Sequence, residues 1–391
     1  MPVTLSPRRR FQAVGLSVLA VLALLAIAQP LRSLVWRADA TAPPCPPPEA
    51  FVEGDIPADL LLAPPPSSPR TSVLGVHTRL TDEVEAWKIR CTLDLARAMG
   101  ATWIVEYVPW AYVETEPGVY RWEHTDLIMD HARRLGLRVI ARIDMVPQWA
   151  RPPETTTRYL PDESFEPYAR FVAAFARRYG DVVGDVVVWN EPNLDFEWGF
   201  RPVDPAAYTR LLQTTYRHVK DAAPSVRVVA AGLAPTVEES PRALMDIRYL
   251  EAMYQHGAGR FFDALAVHTY GWTAPPEEPP DPYKVNFRRV ELLRQVMVAH
   301  GDAAKPVLIT ETGWNDHPRW TKAVHPSQRI QYSLRALDYA VESWPWVDSM
   351  SFWMFRLPRP ARNYNDYYTF VGVDFALKPI YRAVREWAAA S

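Results

Sequence analysis

Two glutamates each follow a short apolar run that has the character of a buried strand. Glu191 lies in Val-Val-Trp-Asn-Glu-Pro-Asn at residues 187–193, and Glu311 lies in Val-Leu-Ile-Thr-Glu-Thr-Gly-Trp at residues 307–314. Because Pro192 disfavours helical backbone in the residue before it, it predicts an extended conformation at Glu191. Two carboxyl groups that face one another can divide acid and base work, since one can carry a proton while the other stays ionised. Glycosidic bonds are cleaved by such a pair, and the sequence therefore predicts carbohydrate chemistry here.

Eight runs of apolar or β-branched residues alternate with segments of helical periodicity. As strands we predict residues 73–78, 102–108, 137–143, 186–190, 227–231, 264–268, 307–310 and 349–353. As helices we predict residues 82–99, 126–135, 164–179, 205–222, 241–256, 285–300, 326–343 and 379–390. Eight strand–helix pairs predict an α/β fold, a single (β/α)8 TIM barrel, which typically needs roughly 250 residues plus insertions. A doubly wound sheet would carry a glycine-rich phosphate turn after its first strand, but residues 75–79 read Gly-Val-His-Thr-Arg.

The active sites of such barrels lie at the C-terminal ends of the strands. This rule brings Glu191, after strand four, and Glu311, on strand seven, to the same mouth of the barrel. It also selects His77, Trp110, Asp144, Gln148, Trp149, Asn190, His268, Tyr270 and Trp353. His77 either contacts a sugar hydroxyl or closes the barrel mouth, and Trp314 either forms a platform for a sugar ring or packs in the core.

The residues around the two glutamates resemble known motifs. Trp-Asn-Glu-Pro-Asn at residues 189–193 and Ile-Thr-Glu-Thr-Gly-Trp at residues 309–314 are similar to motifs of the clan A retaining glycoside hydrolases. Family 39 and the related cellulase-like families are the nearest, and the resemblance extends from about residue 72 to residue 391. It implies a double displacement that needs no cofactor, with Glu191 as general acid/base and Glu311 as nucleophile.

The same resemblance implies roles for other residues at the mouth. Asn190 would hydrogen-bond the sugar 2-hydroxyl, an interaction that strengthens in the transition state. His268 and Tyr270 would line the site and orient the nucleophile, and Trp353 would lie under the sugar at the bond-cleaving subsite. Trp110 and Trp149 match segments that recur in the lining of such sites.

The sequence departs from the family pattern on strand two. Many relatives carry an arginine there that hydrogen-bonds the nucleophile, whereas the aligned place holds Val105, with Glu106 beside it. A positive charge near the nucleophile favours its ionised form. We therefore predict that Arg142 on strand three supplies the missing charge.

The first 71 residues differ in character from the rest. Three arginines at residues 8–10 precede an apolar run at residues 13–28, and this pattern predicts an export segment over residues 1–40. The run is close to the minimum of about 17 residues for a membrane span, so a cleaved signal peptide and a membrane anchor both remain open. Ten prolines between residues 41 and 69 predict an extended linker over residues 41–71, followed by the barrel at residues 72–391.

The composition excludes several classes of function. With 43 Lys+Arg against 45 Asp+Glu, the chain lacks the basic surplus of a nucleic-acid binder. Two cysteines cannot form a disulfide scaffold or a cysteine zinc cluster, and no His/Asp/Glu group has the spacing of a metal site. We therefore predict no catalytic metal and no obligate protein partner. The 15 tryptophans and 18 tyrosines suit a carbohydrate ligand, since sugar rings stack on flat apolar faces.

The sequence thus predicts a retaining glycoside hydrolase, either secreted or anchored on the outer side of the cell membrane. Its substrate would be an extracellular or cell-surface polysaccharide or oligosaccharide. Two alternatives use the same barrel. A transglycosylase would need the same residues but exclude water, and a catalytically silent barrel would only bind glycans. Two opposed carboxylates together with Asn190 favour the enzyme, because binding alone does not require them.

Overall fold

The computed structural model describes residues 71–390, in which eight parallel strands form a closed barrel. The strands are β1 Leu74–Thr78, β2 Trp103–Pro109, β3 Arg138–Asp144, β4 Val183–Val188, β5 Arg227–Leu233, β6 Ala264–Tyr270, β7 Val307–Gly313 and β8 Val347–Phe352. Consecutive strands pair with one another, and β1 pairs with both β2 and β8. The predicted barrel is confirmed, and the doubly wound sheet is excluded because that sheet is open.

A long helix follows each strand and packs outside the barrel. The helices are α1 Ala86–Met99, α2 Glu123–Arg134, α3 Phe165–Tyr179, α4 Pro205–Ala222, α5 Asp246–Gln255, α6 Val290–Ala299, α7 Pro326–Ser343 and α8 Pro379–Ala389. The helix α1 ends at Gly100, whose φ of 111° lies in the left-handed region that favours glycine. The helix α4 begins after Asp204, whose carboxylate accepts from the N–H groups of Ala206 and Ala207 at 2.9 Å.

Some elements differ in extent from their predictions. The helices α5 and α6 start later than predicted, because a hairpin at residues 239–244 and a 3₁₀ turn at Phe287–Arg289 precede them. The strand β4 ends at Val188 rather than at residue 190, because Trp189 has a φ of 76° and leaves the sheet. Because the strand ends here, the residues that follow it, Asn190 and Glu191, turn into the cleft at the mouth of the barrel.

A compact apolar core fills the inside of the barrel. It contains Trp103, Val105, Ile140, Val187, Val229, Ala264, Ala266 and Leu308. Side chains two residues apart on a strand point to the same face. On β6, Ala264 and Ala266 lie in this core, and the next side chains on that face are His268 and Tyr270. One face of β6 thus carries core residues at its start and mouth residues at its end.

The predicted export segment at residues 1–40 and the linker as far as residue 70 lie outside the described residues. Within residues 71–390, no helix combines the length and the apolar character that crossing a bilayer requires.

Candidate active site

Glu311 lies on β7 at the mouth of the barrel, where it lines a cleft. Leu308 of the same strand packs in the barrel interior, so strict alternation would turn Glu311 outward. However, the pairing of β7 with β8 is irregular between Ile309 and Thr312, and on the other side Glu311 pairs with His268 of β6. An irregularity of this kind re-aims the side chains that follow it, and here it brings Glu311 into the cleft.

Glu191 follows β4 in a turn that holds two residues in the left-handed region. The angle φ is 76° at Trp189 and 40° at Glu191, so the extended backbone predicted from Pro192 is wrong. Hydrogen bonds hold this turn, because the N–H of Glu191 donates to the carbonyl of Gly232 at 3.0 Å and the indole of Trp189 donates to the carbonyl of Glu197 at 2.9 Å. Left-handed non-glycine residues cost on the order of 1–3 kcal/mol each and cluster at functional sites.

His268 lies between the two carboxylates. One oxygen of Glu191, one oxygen of Glu311 and one ring nitrogen of His268 all lie within 4.8 Å of one another. Nδ1 of His268 is 2.7 Å from Oε1 of Glu191 and 3.8 Å from Oε2 of Glu311. Burial favours the neutral ring, but the charges of Glu311 and Glu191 outweigh it and raise the pKa of His268 above its usual value. The ring of His268 therefore interacts electrostatically with both carboxylates.

Two donors bind Glu311, one at each carboxylate oxygen. Nη1 of Arg142 donates to Oε1 at 3.0 Å, and the hydroxyl of Tyr270 donates to Oε2 at 2.8 Å. Burial and the charge of Glu311 raise the pKa of Tyr270 well above its usual range, so its hydroxyl keeps the proton that it donates. Nη1 of Arg142 also donates to Oδ1 of Asn190 at 2.8 Å. The carboxylate of Glu311 is thus fixed in orientation and its charge is compensated.

The guanidinium at Glu311 comes from β3, whereas the family pattern would place it on strand two. Val105, at the aligned place, packs in the barrel interior. The next side chain on that face of β2 is Tyr107, and the guanidinium carbon of Arg142 lies 5.0 Å from the centroid of its ring. Arg142 is buried, and its Nε lies 3.8 Å from the carboxylate of Asp144. A ring and two carboxylates therefore surround this arginine.

His77, near the end of β1, lies close to Glu311. Nδ1 of His77 donates to the carbonyl of Thr78 at 3.0 Å, which leaves Nε2 with its lone pair, 3.8 Å from Oε1 of Glu311. Burial, together with the charge of Arg142, lowers the pKa of His77 well below its usual value. The ring is therefore neutral and adds no positive charge. Nε2 has no hydrogen-bond partner among the described residues.

The cleft above the glutamates has a volume of about 520 Å³ and an aromatic wall. Trp353, which follows β8, lines it, and its contact with a sugar stays a prediction. The rings of Trp320 and Tyr364 stack with centroids 4.5 Å apart and an interplanar angle of 8°. The other lining residues are Arg79, Arg142, Arg158, Asn190, Glu191, Phe196, Glu197, Tyr270, Trp272, Glu311, Asn365 and Tyr368. Flat aromatic faces together with charged and amide side chains suit the binding of a sugar.

Three tryptophans that were candidates for the sugar site, Trp110, Trp149 and Trp314, do not line the cleft. Trp110 and Trp314 are at most 1% exposed. The indole N–H of Trp110 donates to Glu114 at 2.6 Å, and that of Trp149 donates to the carbonyl of Glu114 at 2.9 Å. The indole of Trp314 donates to the carbonyl of Ala274 at 2.8 Å. Position at a strand end does not fix side-chain direction, and these indoles pack against neighbouring aromatic rings instead.

Sequence reasoning missed an ion-pair network beside Glu191. Nη1 of Arg158 lies 2.6 Å from the carboxylate of Asp144 and 3.2 Å from that of Glu197. Burial raises the pKa of Glu197 to about 7; the charge of Arg158 opposes this shift and that of Glu191 reinforces it. Both Arg158 and Glu197 lie in loops without hydrophobic periodicity. The signal for Glu197 was its place six residues after Glu191 between two aromatic residues.

Glu191, His268 and Glu311 also form the one group within residues 71–390 whose oxygen and nitrogen atoms lie close enough to bind a metal ion. Each member already has a protein partner, since His268 bonds Glu191 and Glu311 accepts from Arg142 and Tyr270. Hydrogen bonding thus accounts for the cluster, and the absence of a catalytic metal stays a prediction.

Comparison with known proteins gives matches at the level of structure. No family model matches the sequence, and no curated protein matches it. A family 39 glycoside hydrolase from Bacteroides cellulosilyticus WH2 superimposes with a TM-score of 0.64 at 21% identity. That match covers 83% of this chain and 65% of the other, so this chain spans slightly less than two thirds of that protein.

Two further enzymes give similar superpositions. A monomeric beta-xylosidase from Caulobacter crescentus CB15 has a TM-score of 0.58 at 20% identity and covers 83% of this chain and 69% of its own. A glucosidase from Croceicoccus marinus has a TM-score of 0.61 at 16% identity, and the match covers 81% of this chain and 66% of the glucosidase. The structural neighbours are thus family 39 glycoside hydrolases and other clan A members, and at these identities the likeness establishes that the chain shares their barrel fold.

Proposed function

We propose that the protein is a retaining glycoside hydrolase in which Glu311 is the nucleophile and Glu191 the general acid/base. The separation of the two carboxylates carries the proposal, since an oxygen of each lies within 4.8 Å of the other. Retaining enzymes place their carboxyl groups about 5–5.5 Å apart, while inverting enzymes need about 6.5–9.5 Å to admit a water molecule. The glycosidases among the structural neighbours support a carbohydrate substrate.

In the first half of the reaction, an oxygen of Glu311 attacks C1 of the sugar and the bond from C1 to the leaving oxygen breaks. Glu191 gives its proton to that leaving oxygen. Arg142 and Tyr270 hold the two oxygens of Glu311, which orients the attacking lone pair toward the cleft. Asn190, whose carbonyl oxygen is held by Arg142, is oriented to bond the sugar 2-hydroxyl.

In the second half, the oxygen of a water molecule attacks C1 and the bond to Glu311 breaks. Glu191 takes a proton from that water and so returns to its starting state. His268 bonds Glu191 at 2.7 Å and keeps this carboxyl group beside the reacting carbon in both steps.

The substrate that we propose is a polysaccharide or oligosaccharide outside the cell. The basic and apolar segment at residues 1–40 supports export, either as a cleaved signal peptide or as an anchor. The proline-rich linker would then hold the barrel away from the membrane surface.

The proposal is tested by proton NMR of the reaction with a panel of activated aryl glycosides and oligosaccharides. We expect the first-formed sugar to keep the anomeric configuration of the substrate, and we expect no release of sugar by Glu311→Gln. An inverted first product would contradict the mechanism. Binding of glycan without any release would identify a silent barrel, and products longer than the substrate would identify a transglycosylase.

A further inference from the structure

We propose that the cleft continues into a second subsite, which binds an acidic unit of the glycan through Arg359 and Arg362. This inference rests on the proposed hydrolase function and names the class of its substrate, a chain that bears carboxylate or sulfate groups. A groove with a volume of about 1080 Å³ adjoins the cleft, and Arg79 and Arg158 line both. A chain held at the glutamates can therefore extend into the groove.

The charge of the groove is positive. Four arginines line it, Arg79, Arg158, Arg359 and Arg362, against one carboxylate, Asp82. A groove lined by one sign of charge concentrates ligands of the opposite sign.

Two of the four arginines are already engaged within the protein. Arg79 pairs with Asp82 at 2.6 Å, and Arg158 pairs with Asp144 at 2.6 Å. Arg359 and Arg362 are exposed, and neither side chain forms an ion pair or a hydrogen bond within residues 71–390. These two guanidinium groups are thus free to bind a ligand, and each can bind a planar carboxylate or a sulfate through two parallel hydrogen bonds.

The segment that carries the two arginines is held in place. Both oxygens of Asp366 accept backbone hydrogen bonds, at 2.8 Å from the N–H of Ala361 and at 2.7 Å from that of Arg362. Pro358 and Pro360 flank Arg359 and fix the backbone on either side of it. A segment fixed in this way loses little freedom when a ligand binds.

Tyr112 supplies an apolar surface in the same groove. It is 53% exposed, the most exposed aromatic side chain in the lining of the groove. An exposed ring in the same groove as free guanidinium groups matches a charged sugar unit, because the sugar ring can stack while its anionic group binds arginine. A neutral chain would leave both arginines without a partner.

Binding measurements on the whole protein test the inference. The probes are a galacturonic acid oligosaccharide, its carboxyl-reduced neutral counterpart, and a chondroitin sulfate oligosaccharide. The variant is Arg359→Gln with Arg362→Gln. The control is Arg177→Gln with Arg217→Gln, which removes the same charge from exposed positions on α3 and α4. Titration calorimetry at low and high ionic strength gives the affinities.

We expect at least one acidic oligosaccharide to bind about tenfold more tightly than the neutral one at low ionic strength. This preference should fall to within about threefold in the double variant, persist in the control and weaken in high salt. The chondroitin sulfate probe carries sulfate in addition to carboxylate, so tighter binding of this probe than of the galacturonate probe would indicate recognition of sulfate. Equal affinity for charged and neutral chains, no binding of any probe, or an unchanged preference in the double variant would overturn the inference.

These readouts require no bond cleavage. Failure of the inference, which is a loss of charge preference, is therefore distinct from failure of the proposed function, which is a lack of sugar release with retained configuration.

Discussion

Glu311 and Glu191 differ in the partners that hold them. Glu311 accepts from a guanidinium and a phenol, whereas Glu191 meets the ring of His268 and lies near Glu197. Different surroundings are how one site gives two carboxyl groups different work. The contacts of Glu311 compensate a negative charge, which suits a nucleophile. Those of Glu191 leave it more exposed to the cleft, where a leaving group or a water molecule can reach it.

Removing Glu191, the proposed acid/base group, should slow both halves of the reaction. For Glu191→Ala we expect a loss of about 10²–10⁴-fold in kcat on substrates with poor leaving groups. Azide should then restore turnover of an activated aryl glycoside and give a glycosyl azide with retained configuration. Azide can take the place left by the carboxylate and needs no general base, so NMR of the product checks the assignment. A glycosyl azide of inverted configuration would instead identify Glu191 as the nucleophile.

Arg142 should contribute to catalysis by positioning Glu311 and Asn190. A hydrogen bond to a charged group contributes about 1.5–3 kcal/mol, so we expect Arg142→Ala to lower kcat by roughly 10- to 100-fold. Arg142→Lys should recover part of this loss, because lysine can restore the charge but not both contacts.

The control for this variant is Arg138→Ala at the start of the same strand. Arg138 is exposed, and its guanidinium carbon lies 3.7 Å from the centroid of the Trp103 ring, away from the cleft. The control should retain full turnover. Unchanged kcat in folded Arg142→Ala would remove Arg142 from the mechanism.

At the scale of the elements, β3 and β6 each carry core residues and site residues on one face. On β3, Ile140 lies in the interior core and Arg142 follows at the mouth. His268 and Tyr270 could be predicted from their positions at a strand end, and Arg142 was predicted from the missing arginine on strand two. The irregular pairing that turns Glu311 into the cleft is not predicted by any sequence pattern. The place of Glu311 at the mouth was predicted from its position at a strand end and from the motif around it.

The loops were less predictable than the strands. Trp320 and Arg158 line the cleft from segments without periodicity, so their direction depends on tertiary contacts that the sequence does not encode locally. The same limit explains Trp110, which follows a predicted strand but turns into the core. Sequence thus locates the ends of strands, while side-chain direction beyond those ends depends on packing.

The contribution of a single strand residue to the stability of the fold can be tested at Glu106. Its carboxylate, on the outward face of β2, accepts from Thr78 at 2.5 Å and from the N–H groups of Leu80 and Thr81 at 3.3 Å and 3.0 Å. Burial raises its pKa from 4.5 to about 7, although these hydrogen bonds oppose the shift. This carboxyl group therefore ties the first βα loop to β2, partly in its neutral form.

The sign of the pH dependence follows from that shift. Because the folded pKa is above the unfolded one, the stabilisation from Glu106 is complete below about pH 4.5 and is lost as the pH rises to about 7. Relative to Glu106→Gln, the free energy of unfolding should fall by up to about 3 kcal/mol over this range. Urea unfolding at several pH values measures it. Glu197 titrates in both the unmodified protein and the variant, so its contribution cancels in the difference between them. If the free energies of unfolding of the two proteins changed in parallel with pH, the account would be contradicted.

At the scale of the whole molecule, the barrel is proposed to work outside the cell. Residues 1–71 fused to alkaline phosphatase should give an active phosphatase, because that enzyme needs disulfides that form only after export. A matched fusion that lacks the apolar run at residues 13–28 should be inactive. Activity in both fusions, or in neither, would contradict export through this segment.

The central claim is that Glu311 forms a covalent bond to the sugar, and trapping that bond tests it most directly. The unmodified protein is incubated with a panel of 2-deoxy-2-fluoro glycosyl fluorides, and its intact mass is then measured. The account predicts one added sugar per chain, which peptide mapping locates on Glu311 and which Glu311→Gln does not acquire. An adduct on a different residue, or a folded and sugar-releasing enzyme that forms no adduct with any member of the panel, would contradict it.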